Sequence, residues 1–286
     1  VDRLGVAIIS FDRSHYLRRL LGSLAQCTGA ECCTFHLWQD GAVNRFSGVR
    51  HATDAAIDAS VRTFERCGLP RKEAHVQPDN VGIAINQFEA YEWMTERYEY
   101  VLAIEDDVVV SPHWLRLCNV LIAQLESGQR SLARKGWDEV FGFSLGFKRN
   151  CGKGEIAQHL GEIQLGTPHW WAECFPSEHW RKIRPHFLEY YALVRERDYR
   201  DTPHAAIIDL WRRKGWKQNA TSQDGGKDMA VHSAGLQRAV CVVNRGMSIG
   251  RNGMHFTPEQ FARLGYEDQR PYVFGSDATR ERFEWV

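Results

Sequence analysis

The run Tyr100-Val101-Leu102-Ala103-Ile104 delivers three consecutive acids, Glu105-Asp106-Asp107, and then resumes as Val108-Val109-Val110. A near-continuous apolar run of this length reads as a strand buried on both faces of a parallel sheet. Carboxylates cannot remain unpaired inside such a strand. They must emerge at its carboxyl end, where open α/β sheets bind ligands. Clustered hard oxygen donors at a strand end suit Mg2+ or Mn2+, with a diphosphate completing the coordination. A solvated acidic turn is the plainer alternative, and the apolar residues on both sides argue against it.

The rest of the first ~127 residues supports a parallel, helix-covered sheet. Val6-Ala7-Ile8-Ile9 reads as a strand that turns at Phe11-Asp12-Arg13-Ser14, and Leu17, Leu20, Leu21 and Leu24 follow at helical spacing. Thr34 to Trp38 is a second strand ending in Gln39-Asp40-Gly41, and Ala74-His75-Val76 a third ending in Gln77-Pro78-Asp79-Asn80. Helices are expected over 54–67, along the Ala84, Phe88 and Tyr91 face, and after Ser111-Pro112 with Trp114, Leu117, Cys118, Leu121 and Leu125 as its stripe. Right-handed crossovers bring the polar tips to one edge of the sheet. No G-x-G-x-x-G follows the first strand and no G-x-x-x-x-G-K-[ST] occurs, so Rossmann dinucleotide enzymes and P-loop NTPases are disfavoured.

The second half is less regular. Phe141, Phe143, Leu145 and Phe147 alternate as a half-buried strand, residues 150–154 form a loop, and 169–175 read as a strand. Helices are expected over 177–191, from Thr202-Pro203 to Gly215, and over 228–238. A polar, mobile segment is expected at 219–227, a strand at 240–243, and a glycine-punctuated loop at 246–255. The domain reading is a nucleotide-sugar half, 1–127, and an acceptor and catalytic half, 128–286.

Lys plus Arg and Asp plus Glu balance at 36 each, so no global field favours nucleic acid. No apolar run approaches the ~18–20 residues a membrane span needs. The eight cysteines contain no C-x-x-C pair, which disfavours zinc and weakly favours a reducing compartment. The chain begins at Val1, which reads as an excised fragment. A cytoplasmic location is expected, membrane-peripheral in one variant, with a Golgi-lumenal catalytic fragment stripped of its anchor as the alternative.

Asp12-Arg13-Ser14, Gln39-Asp40-Gly41, Gln77-Pro78-Asp79 and Glu105-Asp106-Asp107 occur in the order and spacing seen in glycosyltransferase family 13, the N-acetylglucosaminyltransferase I family. The chain resembles that family over residues 5–125 and more loosely over 224–260. The resemblance implies a GT-A fold: an α/β, Rossmann-like, mostly parallel sheet with helices on both faces and a less regular C-terminal acceptor region. It implies an inverting, metal-dependent transfer of N-acetylglucosamine from a UDP-sugar to a glycan or glycoconjugate hydroxyl. By position, Arg13 would lie near the nucleotide, Asp40 would accept from the base, and Asp107 would be the direct ligand of Mn2+ or Mg2+. Glu105 and Asp106 would make ribose, donor-sugar or outer metal contacts. Asp228 matches the family's catalytic base, and Ser248 to His255 resembles the loop that closes over the donor. Asn86 stands where the family has a nucleotide-contacting histidine, and His255 where it has a serine, which leaves base and donor open.

The chemistry requires a metal against the leaving diphosphate, one carboxylate to take the acceptor proton, and alignment of the two substrates. Asp228 is the preferred base, with Glu173 and Asp224 as alternatives. His255 is a candidate metal or diphosphate ligand, Arg251 a candidate phosphate contact, and Trp170 and Trp171 candidates for sugar stacking. Alternation sends those two tryptophans to opposite faces. A retaining GT-A transferase and a non-catalytic nucleotide-sugar or glycan-binding module remain as alternative readings.

Overall fold

The structure, a computed structural model, describes residues 2–126, 140–144, 159–167, 169–253, 256–268 and 284–285. Its spine is a nine-stranded sheet in the order β11-β7-β9-β6-β8-β4-β1-β2-β3. These are β1 (Asp2–Ser10), β2 (Thr34–Gln39), β3 (Lys72–Val76), β4 (Tyr98–Glu105), β6 (Val140–Ser144), β7 (Glu162–Leu165), β8 (Ala172–Pro176), β9 (Gln237–Cys241) and β11 (Glu284–Trp285). The block β3-β2-β1-β4 is parallel throughout, β8 runs antiparallel to β4 and β6, and β6 pairs parallel with β9. One sheet therefore crosses both expected halves of the chain.

Helices cover both faces. On one side α1 (Ser14–Ala25), α2 (Asp54–Glu65) and α4 (Trp114–Glu126) pack on Val6, Ile8, Leu102 and Ile104. On the other, α3 (Ile83–Thr95), α5 (Ser177–Val194), α6 (His204–Arg213) and α7 (Gln223–Ser233) pack on Ala7, Ile9, Val101 and Ala103. Strand alternation assigns successive residues of β1 and β4 to the two cores. Both faces are buried, so these strands are apolar without a polar period. The edge strand β3 instead carries Lys72, Glu73 and His75, as an exposed edge requires.

Several expectations shift. α7 begins at Gln223, five residues before the expected start, and β9 begins at Gln237. The segment expected to be mobile thus supplies the first turn of a helix, and Asp228 lies in the middle of that helix rather than at its start. Gly225 and Gly226 are tolerated there because neighbours press on them: a Cβ at Gly225 would meet the Ala220 carbonyl oxygen at 2.3 Å, and one at Gly226 the Tyr190 ring at 2.7 Å. The expected loop at 246 starts as a strand, β10 (Gly246–Ser248), paired antiparallel with β5 (Val108–Val110). Between β6 and β8 the alternation read through Leu145 and Phe147 is described only to Ser144, where every residue is buried. Those two residues, and the loop at 150–154, lie outside the described residues. A short helix, α8 (Pro258–Arg263), opens with a Thr257/Gln260 capping box.

Candidate active site at the carboxyl edge of the sheet

The tips of β1, β2, β3 and β4 meet through the backbone. Asp40 N–H donates to Ser10, Asp106 N–H to Ile9, and Gln77 N–H to Gln39. Parallel pairing makes this unavoidable, because the strands end at one level and their first free residues become neighbours.

Arg13, at the start of α1, reaches across that edge. Its Nη2 lies 2.6 Å from Asp106 Oδ1 and its Nη1 2.8 Å from Asp107 Oδ2. Ser10 Oγ and Phe11 N–H also donate to Asp106 Oδ2, each at 3.3 Å. Burial pushes the Asp106 carboxyl up to about 6 even with Arg13 beside it. Glu105, half-buried, is raised well above the usual carboxylate range, first by burial and then by the charges of Asp224 and Asp107.

The strand pair β5–β10 carries the chain past Asp107. Ile249 N–H donates to the Asp107 carbonyl at 2.7 Å, and Asn252 N–H to Tyr16 Oη at 3.2 Å. Gly250 fits against the Asp107 side chain so closely that a Cβ there would lie 2.1 Å from Oδ2. A glycine is required by this approach and not by backbone torsion. Residues 249–253 thus lie over Arg13, Tyr16 and Asp107.

A second polar layer lies beside it, built from α7, β8 and β9. Lys227 is buried, with Nζ 2.9 Å from Gln87 Oε1 and 3.0 Å from Asp224 Oδ1. Arg238, the second residue of β9, holds Glu173 Oε2 at 2.8 Å and Asp228 Oδ1 at 3.1 Å. Its guanidinium carbon stands 3.7 Å from the Trp170 ring centroid, and Trp170 Nε1–H donates to Asp228 Oδ1 at 2.9 Å. Burial raises the Asp228 carboxyl above its ordinary range, and Arg238 and the Trp170 bond partly offset that.

The structure sorts the residues singled out from sequence. It brings together Arg13, Glu105, Asp106, Asp107, Asp224 and Asp228. Glu173 is fully buried and both its oxygens are engaged by Arg238, so a substrate hydroxyl has no path to it. Asp40 is buried, and its carboxylate already accepts from Gly41 N, Val81 N, Gly82 N and Asn80 Nδ2. Those four donors fill a carboxylate's acceptor sites, so the group ties the β2 tip to the start of α3. Burial nonetheless pushes its carboxyl up to about 6. Asn86 is buried as well and donates to the Trp38 carbonyl, anchoring α3 to β2. Arg251 is exposed and paired with Glu267 at 2.6 Å.

Trp170 and Trp171 do point to opposite faces, but neither offers a ring for stacking. Trp170 is in the α3-side core beneath Arg238, and Trp171 lies in the other core, stacked on His169 at 4.1 Å. His255 lies outside the described residues. Lys227 and Arg238 were not singled out. Arg238 falls in the helix expected over 228–238, and only the structure moves it into β9 (Gln237–Cys241), where a buried arginine needs a partner.

The carboxylates of this edge outnumber the cations Arg13, Lys227 and Arg238 that the described residues bring to them. Crowded hard oxygen donors with excess negative charge fit Mg2+ or Mn2+, with Asp107 Oδ1 as the oxygen of that side chain not held by Arg13. A groove of about 500 Å3 between α1 and α2 is lined by Arg18, Arg62 and Arg66, but it contains none of the converging acids and lies away from the strand tips. No described helix is long and apolar enough to cross a membrane.

No family model and no curated protein matches the sequence. Solved structures do resemble the chain's course. One is Staphylococcus aureus TarS 1–349 in complex with UDP-GlcNAc: TM-score 0.47, 12% identity, 92% of this chain and 64% of that one. A second is the galactosyltransferase LgtC with donor and acceptor sugar analogs: TM-score 0.41, 14% identity, 84% and 73%. A third is a mannosyltransferase from Pyrobaculum calidifontis with GDP-Man and Mn2+: TM-score 0.41, 14% identity, 82% and 69%. The chain spans less than two thirds of the length of the TarS chains it resembles.

Proposed function

We propose that this chain is a GT-A glycosyltransferase that moves a sugar from a nucleotide diphosphate to a hydroxyl, with inversion and with a bound Mn2+ or Mg2+. The observation that carries the reading is the acidic tip of β4, bridged by Arg13 and overlain by the Gly250 loop. A parallel strand ends there in hard oxygen donors, a cation stands beside them, and a segment that can enclose a ligand packs against them. The donor class is UDP-sugar, with N-acetylglucosamine as the sugar the sequence resemblance favours, and the acceptor is a glycan or glycoconjugate hydroxyl. Residues 1–127 serve the nucleotide, and the later segments serve acceptor and catalysis.

Each residue's role follows from its surroundings. Asp107, through the oxygen that Arg13 leaves open, holds the metal, which when bound offsets charge developing on the leaving diphosphate. Arg13 is positioned to lend positive charge to the same region. Asp228 is the base: among the described residues its Oδ2 takes part in no hydrogen bond, while Oδ1 is fixed by Trp170 and Arg238. A carboxyl raised above its ordinary range is a stronger proton acceptor. It removes the acceptor hydroxyl's proton as that oxygen bonds to the anomeric carbon and the bond to the diphosphate breaks. Glu173 acts on this base only through Arg238. Asp224, paired with Lys227, is the second choice.

Calorimetry with UDP, GDP and CDP, each with Mn2+ or with EDTA, tests the reading, together with UDP release from UDP-N-acetylglucosamine. UDP should bind preferentially and more tightly with metal. Equal affinity with EDTA removes the metal-bridging role, and absence of any nucleotide binding removes the transferase reading.

A further inference from the structure

A second group of metal-type donors lies outside the site described above, at the β3 edge of the sheet. Strand register places His36 of β2 opposite Glu73 of β3, and Trp38 opposite His75. Residues two apart on a strand share a face, so His36, Trp38, Glu73 and His75 all point to the side covered by α3. The ligand atoms converge. His36 Nδ1 is 3.0 Å from His75 Nε2 and 3.8 Å from Glu73 Oε2, and His75 Nε2 is 4.0 Å from Glu73 Oε1. Among the described residues this is the group in which three ligand atoms from histidine, cysteine or carboxylate side chains all lie within 4.8 Å of one another.

We propose that His36, His75 and Glu73 form a binding site for a borderline transition-metal ion, Zn2+ above all, with an open fourth position. Bonds of about 2.0–2.1 Å to a tetrahedral zinc put neighbouring donors roughly 3.3–3.4 Å apart. The observed separations bracket that value, and the exposed Glu73 side chain can adjust to meet it. Two imidazoles and one carboxylate, with one position left to solvent, form a zinc-type donor set. It is unlike the all-oxygen set suited to Mg2+.

The surroundings hold the two rings as ligands. His36 is 1% exposed, and its Nε2 lies 2.7 Å from Tyr98 Oη. With Nε2–H donating to that hydroxyl, the Nδ1 lone pair faces His75, the outer contact that ligating histidines use to fix their tautomer. His75 stacks on Trp38 with centroids 4.3 Å apart and planes at 12°, while Trp93 from α3 closes on both imidazoles. Burial favours neutral rings, with His36 pushed down to about 4. Without metal the two nitrogens share one hydrogen bond. Binding requires only that His75 carry its proton on Nδ1, with no net proton lost.

The location separates this site from the transfer chemistry. β3 is three strands from β4, about 14 Å at ordinary strand spacing. A metal here would fasten the edge strand to β2, so its effect is on stability and not on the sugar.

Zn2+ binding to the full chain, without a histidine tag and without nucleotide, tests the proposal by calorimetry. Co2+ absorption reads the donor set. The wild-type chain should bind one Zn2+ with a raised Tm and give a four-coordinate Co2+ spectrum lacking thiolate bands. His75→Gln should weaken binding by at least about 100-fold and Tyr98→Phe by about tenfold, because even outer partners of a ligating histidine contribute 10–100-fold. Glu73→Gln changes an exposed side chain, so it keeps the test alive if His75→Gln fails to fold; it too should weaken binding at least tenfold. Asp107→Asn should leave Zn2+ binding unchanged. No stoichiometric binding, affinity unaltered by Glu73→Gln, or a thiolate band would overturn the assignment.

Discussion

Gly250→Ala isolates the contact between the loop after β10 and the acidic tip of β4. The added methyl would lie 2.1 Å from Asp107 Oδ2 and 2.7 Å from its Cγ, where real side chains keep at least 3.0 Å. Either the carboxylate or the loop must therefore move by about 1 Å. The carboxylate is held by Arg13 at 2.8 Å and the loop by Ile249 N–H on the Asp107 carbonyl, so displacement strains both attachments. A misplacement of this size at a reacting centre costs on the order of 100-fold in rate, or about 2.7 kcal/mol. The global fold should survive, because the β5–β10 ladder and the buried sheet are untouched. The assay is UDP release from the donor with saturating Mn2+, with circular dichroism and metal-dependent UDP binding measured on the same sample. Gly253→Ala is the graded comparison: there a Cβ meets Arg13 Nη1, the nitrogen that holds Asp107, at 3.2 Å, so a shift of a few tenths of an ångström should cost far less. Turnover and metal dependence within twofold of wild type in Gly250→Ala would refute the argument that this contact sets the Asp107 geometry.

Asp228→Asn should keep UDP affinity and lose transfer by several orders of magnitude, about 1,000-fold or more; near-normal turnover would move the base to Asp224. If Asp228 is the base, rate falls as pH drops through its raised pKa. Trp170→Phe deletes a bond that lowers that pKa, so the acid limb of kcat/KM should move to higher pH, and an unmoved limb would exclude the role. Glu173→Ala leaves the buried Arg238 without its main partner and should destabilise the fold by about 3–5 kcal/mol in urea titrations; a change under about 1 kcal/mol would show that the pair is not structural. Asp40→Ala strips buried donors of their acceptor and should lower stability by at least about 2 kcal/mol. Unchanged discrimination between UDP and CDP in that variant would confine Asp40 to anchoring the loop.

What the sequence determined by itself was the part governed by local and periodic physics. β1 and β4 announce themselves because strands buried on both faces must be apolar throughout, and Glu105 to Asp107 must then emerge where β4 ends. The leucine stripe of α1 is equally local, whereas the cap expected at Ser111-Pro112 does not form: α4 starts at Trp114, and Ser111 Oγ has no hydrogen-bond partner among the described residues. What only the tertiary structure decided was which polar groups answer one another. Asp40 and Asp107 look alike in sequence, each an acid past a strand end, yet the Gly41, Val81 and Gly82 N–H groups and the Asn80 amide saturate the first while one oxygen of the second stays open. Glu173 and Asp228 differ for the same reason: Arg238 covers both oxygens of one and a single oxygen of the other. Trp170 and Trp171 read as candidates for sugar stacking on opposite faces, and both cores close over them. The histidine pair on β2 and β3 is 39 residues apart in the chain, and no spacing rule connects them. Long-range strand register creates that contact, and a single sequence carries register only through the fold it produces.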